Sequence, residues 1–325
     1  MHQTLTAAFA SVNSCGAASA SLLRRHAPAA GHFSPITINY SSSKPAMKPN
    51  TPSYLASSWG NLSWTRWVPL NNKHRELSHI PTQPGIYRVR PVDGQILAYI
   101  GQTGRSLRQR MRELRVFYNS SDEMPWNDPH TAAQSLWTWR DAEGCDFEVS
   151  VAPLPFHGGD EGRRHRLGQE AYLLWKYRCE HGSSTLCNHG RFHSHYSRST
   201  NRSAGIRGGR LPEGQINPAA GPSSVPLHDI GSPNEGDWMG LHWEPPLPLQ
   251  KASLTKFSEW PALYMMINPS GEVIYIGETK RLRSRMASHV KTFRDEEVRV
   301  SHVLCSDMTE HYQRLEWEND LLVPG

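Results

Sequence analysis

Pro84-Gly85-Ile86-Tyr87-Arg88-Val89-Arg90, an Asp93-Gly94 pair, then Ile96-Leu97-Ala98-Tyr99-Ile100-Gly101 is the stretch on which the reading of this chain turns. Apolar and aromatic residues on either side of Asp-Gly predict a strand, a tight turn and a second strand. The pattern recurs as Ala262-Leu263-Tyr264-Met265-Met266-Ile267, a turn at Asn268-Pro269-Ser270-Gly271, and Glu272-Val273-Ile274-Tyr275-Ile276-Gly277. Each hairpin precedes a segment containing Leu-Arg-x-Arg-Met, at Leu107 to Met111 and Leu282 to Met286. Further on, each copy carries Leu-x-x-Glu-x-x-Leu-Leu, with Glu170 in one and Glu318 in the other. Three matches in the same order predict a duplicated α+β unit, a small antiparallel sheet flanked by helices.

Polar residues interrupt the apolar faces of these elements. Alternation along a strand lets Tyr87 and Tyr99 point to one side of the sheet, and a glycine at Gly101 or Gly277 lets a neighbouring group approach closely. On the first helix Leu107, Met111 and Leu114 form the inward stripe, and Arg110 lies on it, as Arg285 lies beside Leu282 and Met286. Glu170 shares a face with Leu167, Ala171 and Leu174, and Glu318 with Leu315 and Leu322. An inward charge must be paired or line a cleft, so each Arg and Glu is either half of a structural ion pair or part of a phosphate and metal site.

Around these units lie less patterned segments. Residues 1–55 lack periodicity, and 211–236 are crowded with Pro, Gly and Ser, so both are expected to be flexible, the second as a linker between a unit at 60–210 and another at 237–325. No acidic residue precedes Glu76, and residues 1–46 read either as a disordered extension or as an organelle transit peptide. With five irregularly spaced cysteines and no apolar run near the roughly 20 residues a membrane span needs, the expectation is a reduced, intracellular protein, cytoplasmic or nucleoid-associated. The formal charge of +5 suits a phosphate-bearing partner without requiring one. Residues 181–212 contain no acid and interleave Arg191, Arg198, Arg202, Arg207 and Arg210 with Phe192 and Tyr196, a pattern that either follows a nucleic-acid backbone or is a solvated loop. Cys179, His181, Cys187, His189, His193 and His195 fit no usual zinc spacing.

These residues resemble the GIY-YIG nuclease family. Gly85-Ile86-Tyr87 and Tyr99-Ile100-Gly101 match its two name motifs, Arg110 its arginine, Glu170 its metal-binding glutamate and Asn188 its closing asparagine. In the second unit Tyr264, Tyr275, Arg285, His289 and Glu318 match in turn. Leu114 departs from the pattern, since many members carry histidine or tyrosine there; His130 or Tyr118 could take that place if the fold brings either to the cleft. The second unit stops short of a closing asparagine, so self-association or a partner is expected to complete it.

The resemblance implies a DNA endonuclease of restriction, repair or mobile-element type. Mg2+ or Mn2+ would be held by Glu170 or Glu318, with Arg108 and the 191–210 arginines on nucleic acid. The alternative is an inactive nucleic-acid-binding protein on the same fold.

Overall fold

The computed structural model describes residues 51–71, 75–115, 123–128, 130–155, 158–233, 235–294 and 296–323. The transit-like stretch 1–46 and Tyr118 lie outside the described residues. In the first unit β1 (Val68–Pro69), β2 (Gly85–Pro91), β3 (Tyr99–Thr103) and β4 (Phe147–Pro153) form one antiparallel sheet in the order β1-β4-β2-β3. Helices α1 (Leu107–Leu114), α2 (Thr131–Glu143) and α3 (Gly159–His181) accompany it. The second unit repeats that order with β5 (Leu247–Pro248), β6 (Ala262–Ile267), β7 (Val273–Thr279) and β8 (Arg299–Leu304), arranged β5-β8-β6-β7. Its helices are α4 (Leu282–Thr292) and α5 (His311–Leu321), with no counterpart of α2 among the described residues.

Alternation sorts each sheet into two apolar layers. Tyr87 and Val89 of β2 face Leu107, Met111 and Leu114 of α1, while Ile86 of β2 and Ile100 of β3 face Leu173 and Leu174 of α3. All three α1 residues are fully buried, as the 3.6-residue stripe requires. Each such side chain contributes about 1.5–3 kcal/mol of apolar transfer energy.

Matching segments also precede the sheets. Trp59-Gly60-Asn61-Leu62-Ser63-Trp64 and Trp238-Met239-Gly240-Leu241-His242-Trp243 each begin with one turn of 3-10 helix. Two left-handed residues follow the first tryptophan in both, Gly60 and Asn61 in one, Met239 and Gly240 in the other. The turn folds the second indole back, so Trp64 Nε1 donates to Trp59 O (2.8 Å) and Trp243 Nε1 to Trp238 O (3.0 Å).

Two expectations change here. The face of α5 that is most buried carries Tyr312, Glu316 and Asp320, whereas Leu315 and Leu322 are only partly covered. Arg178 of α3, itself buried, reaches Glu316 and Asp320 at 3.0 Å each, so charges that would otherwise form a solvated face are desolvated between the two units. The stretch 222–227, expected to be a flexible linker, runs along α5. Glu316 accepts Ser224 N–H, Asp320 accepts Leu227 N–H, and Tyr312 and Trp317 donate to Pro222 O and Val225 O. These bonds satisfy backbone groups that a flexible segment would leave to water.

Candidate active site

The first cluster lies beside the edge strand β3. Tyr87 pairs across the ladder with Gly101, and Val89 with Tyr99, which sets both phenols on one face. A Cβ on Gly101 would come within 2.6 Å of both rings, so the glycine is what allows the two tyrosines to lie 5.9 Å apart between centroids. Arg110 of α1 hydrogen-bonds the Tyr87 hydroxyl and meets Glu113 at 3.4 Å.

His130 completes this cluster from an unexpected direction. It is the N-cap of α2, its Nδ1 accepting the amide of Ala132 (3.3 Å) while its Nε2 lies 3.1 Å from the Tyr87 hydroxyl. Acceptance at Nδ1 assigns the ring proton to Nε2, so His130 donates to the phenol oxygen. The ring is also in edge contact with both tyrosines at 6.2 Å. Burial, then the charges of Arg110 and Arg105, hold the imidazole down to a pKa of about 3, and it is neutral at physiological pH.

The second cluster has the same composition from partly different elements. Tyr264 pairs with Gly277, where a Cβ would meet the Tyr264 and Tyr275 rings at 2.7 Å. Arg285 Nε donates to Tyr264 (2.9 Å) and its Nη2 to Tyr275 (3.2 Å). His289, one turn after Arg285 on α4, places Nε2 2.9 Å from the Tyr264 hydroxyl. Burial and Arg285 lower its pKa to about 4. In the first cluster Arg110 and His130 donate to the phenol oxygen, and in the second Arg285 does so with the His289 imidazole beside it; donation to that oxygen favours the phenolate. Burial works against it, pushing Tyr87 up to about 12 and Tyr264 higher still.

A carboxyl group stands beside each cluster. Glu170 accepts the backbone N–H of Gln102, and Glu318 that of Glu278 (3.2 Å); Gln102 and Glu278 each directly follow the β-strand glycine. One turn before each glutamate an arginine fixes that neighbour: Arg166 bonds Gln102 (3.3 Å), and Arg314 bonds Glu278 (2.8 Å). Glu170 keeps some accessible area as a residue, yet its carboxyl sits deep enough that burial, opposed by Arg110, pushes it up to about 7. Burial and the adjacent Glu278 likewise push Glu318 up to about 7. A desolvated carboxyl with a single backbone donor gains most from a cation, and its hard oxygens suit Mg2+ or Mn2+ with water and phosphate in the remaining positions. Among the described residues no group of three or more His, Cys, Asp or Glu is placed to hold a metal.

The remaining site candidates sit as follows. Asn188 is buried, its Oδ1 accepting Ile100 N–H (2.9 Å) and its Nδ2 donating to Ile100 O (2.8 Å). That pairing closes the β3 edge between Tyr99 and Gly101, so the amide positions the motif and its hydrogen bonds are already engaged. Arg108 donates to Ile80 O (2.8 Å), as Arg283 does to Phe257 O in the second unit, and both tie a helix to the segment that joins the first two strands of its unit. Arg191 pairs with Glu316 at 3.3 Å and stacks over Tyr312, which places it between the units. Arg198, Arg202, Arg207 and Arg210 are exposed; Arg198 lies over Phe192, Arg207 over Trp126 and Arg210 over Tyr196. This loop docks on α2 through Tyr196 to Asp141 (2.5 Å) and Ser199 N to Gln134 (2.9 Å).

The family model of the GIY-YIG catalytic domain matches residues 261–321. That span contains β6, β7, α4, β8 and α5 with all five residues of the second cluster, and it associates them with nuclease-type activity. Neither the curated proteins nor the solved structures include a match to the chain.

Proposed function

With the GIY-YIG match as premise, we propose that the chain is a metal-dependent DNA endonuclease carrying two copies of that site, the first at 85–188 and the second at 262–318. The observation that carries this reading is the reappearance, around Tyr87, of the same Tyr, Tyr, His, Arg and Glu set that surrounds Tyr264 inside the matched span.

In each copy the arginine faces the position of the scissile phosphate and neutralises charge as it builds there. Glu170 or Glu318 would hold one divalent cation, which would supply Lewis-acid stabilisation of charge at the phosphate. Tyr87 or Tyr264 takes the proton of the attacking water, with an arginine donating to its oxygen and an imidazole beside it: Arg110 and His130 in the first site, Arg285 and His289 in the second. Tyr99 and Tyr275 wall the other side of the phosphate position. The exposed arginines 198, 202, 207 and 210, three of them stacked on aromatic rings, follow the backbone of the bound strand.

Incubation with plasmid DNA and Mg2+ or Mn2+ tests the proposal. Wild-type protein should cut, EDTA should stop it, and a Glu170→Gln/Glu318→Gln double variant should bind DNA without cutting. Equal cutting by the double variant would remove the glutamates from the chemistry. DNA binding by wild type with no cutting under either metal would leave a binding module in place of a nuclease.

A further inference from the structure

The surface that joins the two units bears on how many strands the protein cuts. Ala171 directly follows Glu170, and Asn319 directly follows Glu318, so the two hold equivalent places in the repeat. They touch each other: Asn319 Nδ2 donates to Ala171 O at 3.1 Å. Contact between a position and its own equivalent is what a two-fold, self-complementary interface gives near its axis. Seven residues after Ala171 on α3, Arg178 meets both Glu316 and Asp320, one turn apart on α5 and on either side of Asn319.

This junction is held firmly. Arg178 binds Asp320 through both carboxylate oxygens, at 3.0 Å each, and Glu316 at 3.0 Å, all three side chains being fully buried. Arg191 adds a second contact to Glu316, and Trp175 Nε1 donates to Leu227 O in the 222–227 stretch that runs along α5. Adding the reach of the intervening bonds, the backbones at Glu170 and Glu318 lie no more than about 17 Å apart. That is well inside one helical turn of DNA, about 34–36 Å.

The two strands of a duplex run antiparallel, so one site can attack both in the same sense only if it is present twice about a two-fold axis. We propose that the pseudo-two-fold junction of α3 and α5 makes this chain a one-chain double-strand cutter, each site hydrolysing one strand of the same duplex in a single binding event. The proposal rests on the nuclease reading above. Each cut consumes one water, breaks one P–O bond, and leaves one phosphate and one hydroxyl end.

Supercoiled plasmid in excess over protein, with Mg2+, distinguishes the outcomes. The wild-type chain should yield linear DNA from the earliest times with little nicked circle accumulating. Glu170→Gln and Glu318→Gln should each yield nicked circles alone, and an equimolar mixture of the two should still only nick, since no single chain then has two sites. Build-up of nicked circles before linear product with wild type would overturn the proposal, as would linearisation by either single variant or by the mixture at dilute concentration. Absence of any cleavage would end the nuclease reading and this inference with it, a result distinct from nicking without linearisation.

Discussion

The two clusters put an imidazole against the same phenol oxygen from different parts of the chain. In the second unit His289 arrives on α4, four residues after Arg285; in the first, the α1 position is Leu114, buried in the core, and His130 arrives from the cap of α2, twenty residues after Arg110. Leu114 is free to be core because α2, absent from the second unit among the described residues, lays its N-terminus across the tyrosines. The comparison teaches that the site is defined by which atoms converge on the phenol, and that a helix cap can supply a group which spacing alone assigns to a helix face. A second contrast runs through the arginines. Arg285 bonds both tyrosines, whereas Arg110 shares itself with Glu113, where the second unit has Ser288.

The largest effect that bears on this comparison is loss of the metal carboxylates. Glu170→Gln should silence the first site and Glu318→Gln the second, each readable from the strand that remains cut in an end-labelled duplex; if one substitution silences both sites, the two are not independent copies. Next come Arg110→Met and Arg285→Met, each expected to slow its own site by about 10²–10³ in single-turnover cleavage, the scale on which a charge-stabilising donor acts.

His130→Ala and His289→Ala should each slow cleavage by roughly 10–10², below the upper range for a direct proton-transfer group, because each imidazole acts through its tyrosine. A clear loss for His289→Ala beside an unaffected His130→Ala would break the equivalence of the two histidines. Gly101→Ala and Gly277→Ala force a methyl to within 2.7 Å or less of two rings and should destabilise the fold by about 1–3 kcal/mol in denaturant titration, to a similar extent in each unit.

Much of this was legible beforehand. The repeated hairpins and the α1 stripe follow from periodicity, and they stand where alternation and the 3.6-residue repeat place them. The position of His130 was not fixed by sequence, since no local rule says where a cap residue across an insertion comes to rest. The Trp-x-x-Leu-x-Trp pairs at 59–64 and 238–243 were a readable repeat signal, hidden by a dipeptide in which the glycine changes places. The burial of Glu316 and Asp320 was not readable, because acids at helical spacing look like a solvated face until a buried Arg178 is brought opposite them.

The smallest expected effect is on pH. Glu170 and Glu318 have carboxyls raised from 4.5 to about 7, so in the metal-free protein their contribution to stability is complete below pH 4.5 and is lost as pH rises through about 7. The depressed His130 and His289 act oppositely, their contribution being present above pH 6.5 and lost as pH falls through about 3 and 4. The Glu170→Gln/Glu318→Gln double variant isolates the first effect: its melting temperature without metal should fall less than that of wild type between pH 5 and 7.5. Divalent-ion affinity of wild type should rise over the same window, as the carboxyls lose the competing proton.

The sharpest test of the account compares the sites one at a time: the initial nicking rate of Glu318→Gln, which leaves the Tyr87 cluster, against that of Glu170→Gln, which leaves the Tyr264 cluster. Two working sites built on the same convergence predict that both variants nick DNA, at rates within about tenfold of each other. Nicking by Glu170→Gln alongside an inert Glu318→Gln would contradict the claim that a histidine from α2 makes the first cluster a working copy of the second.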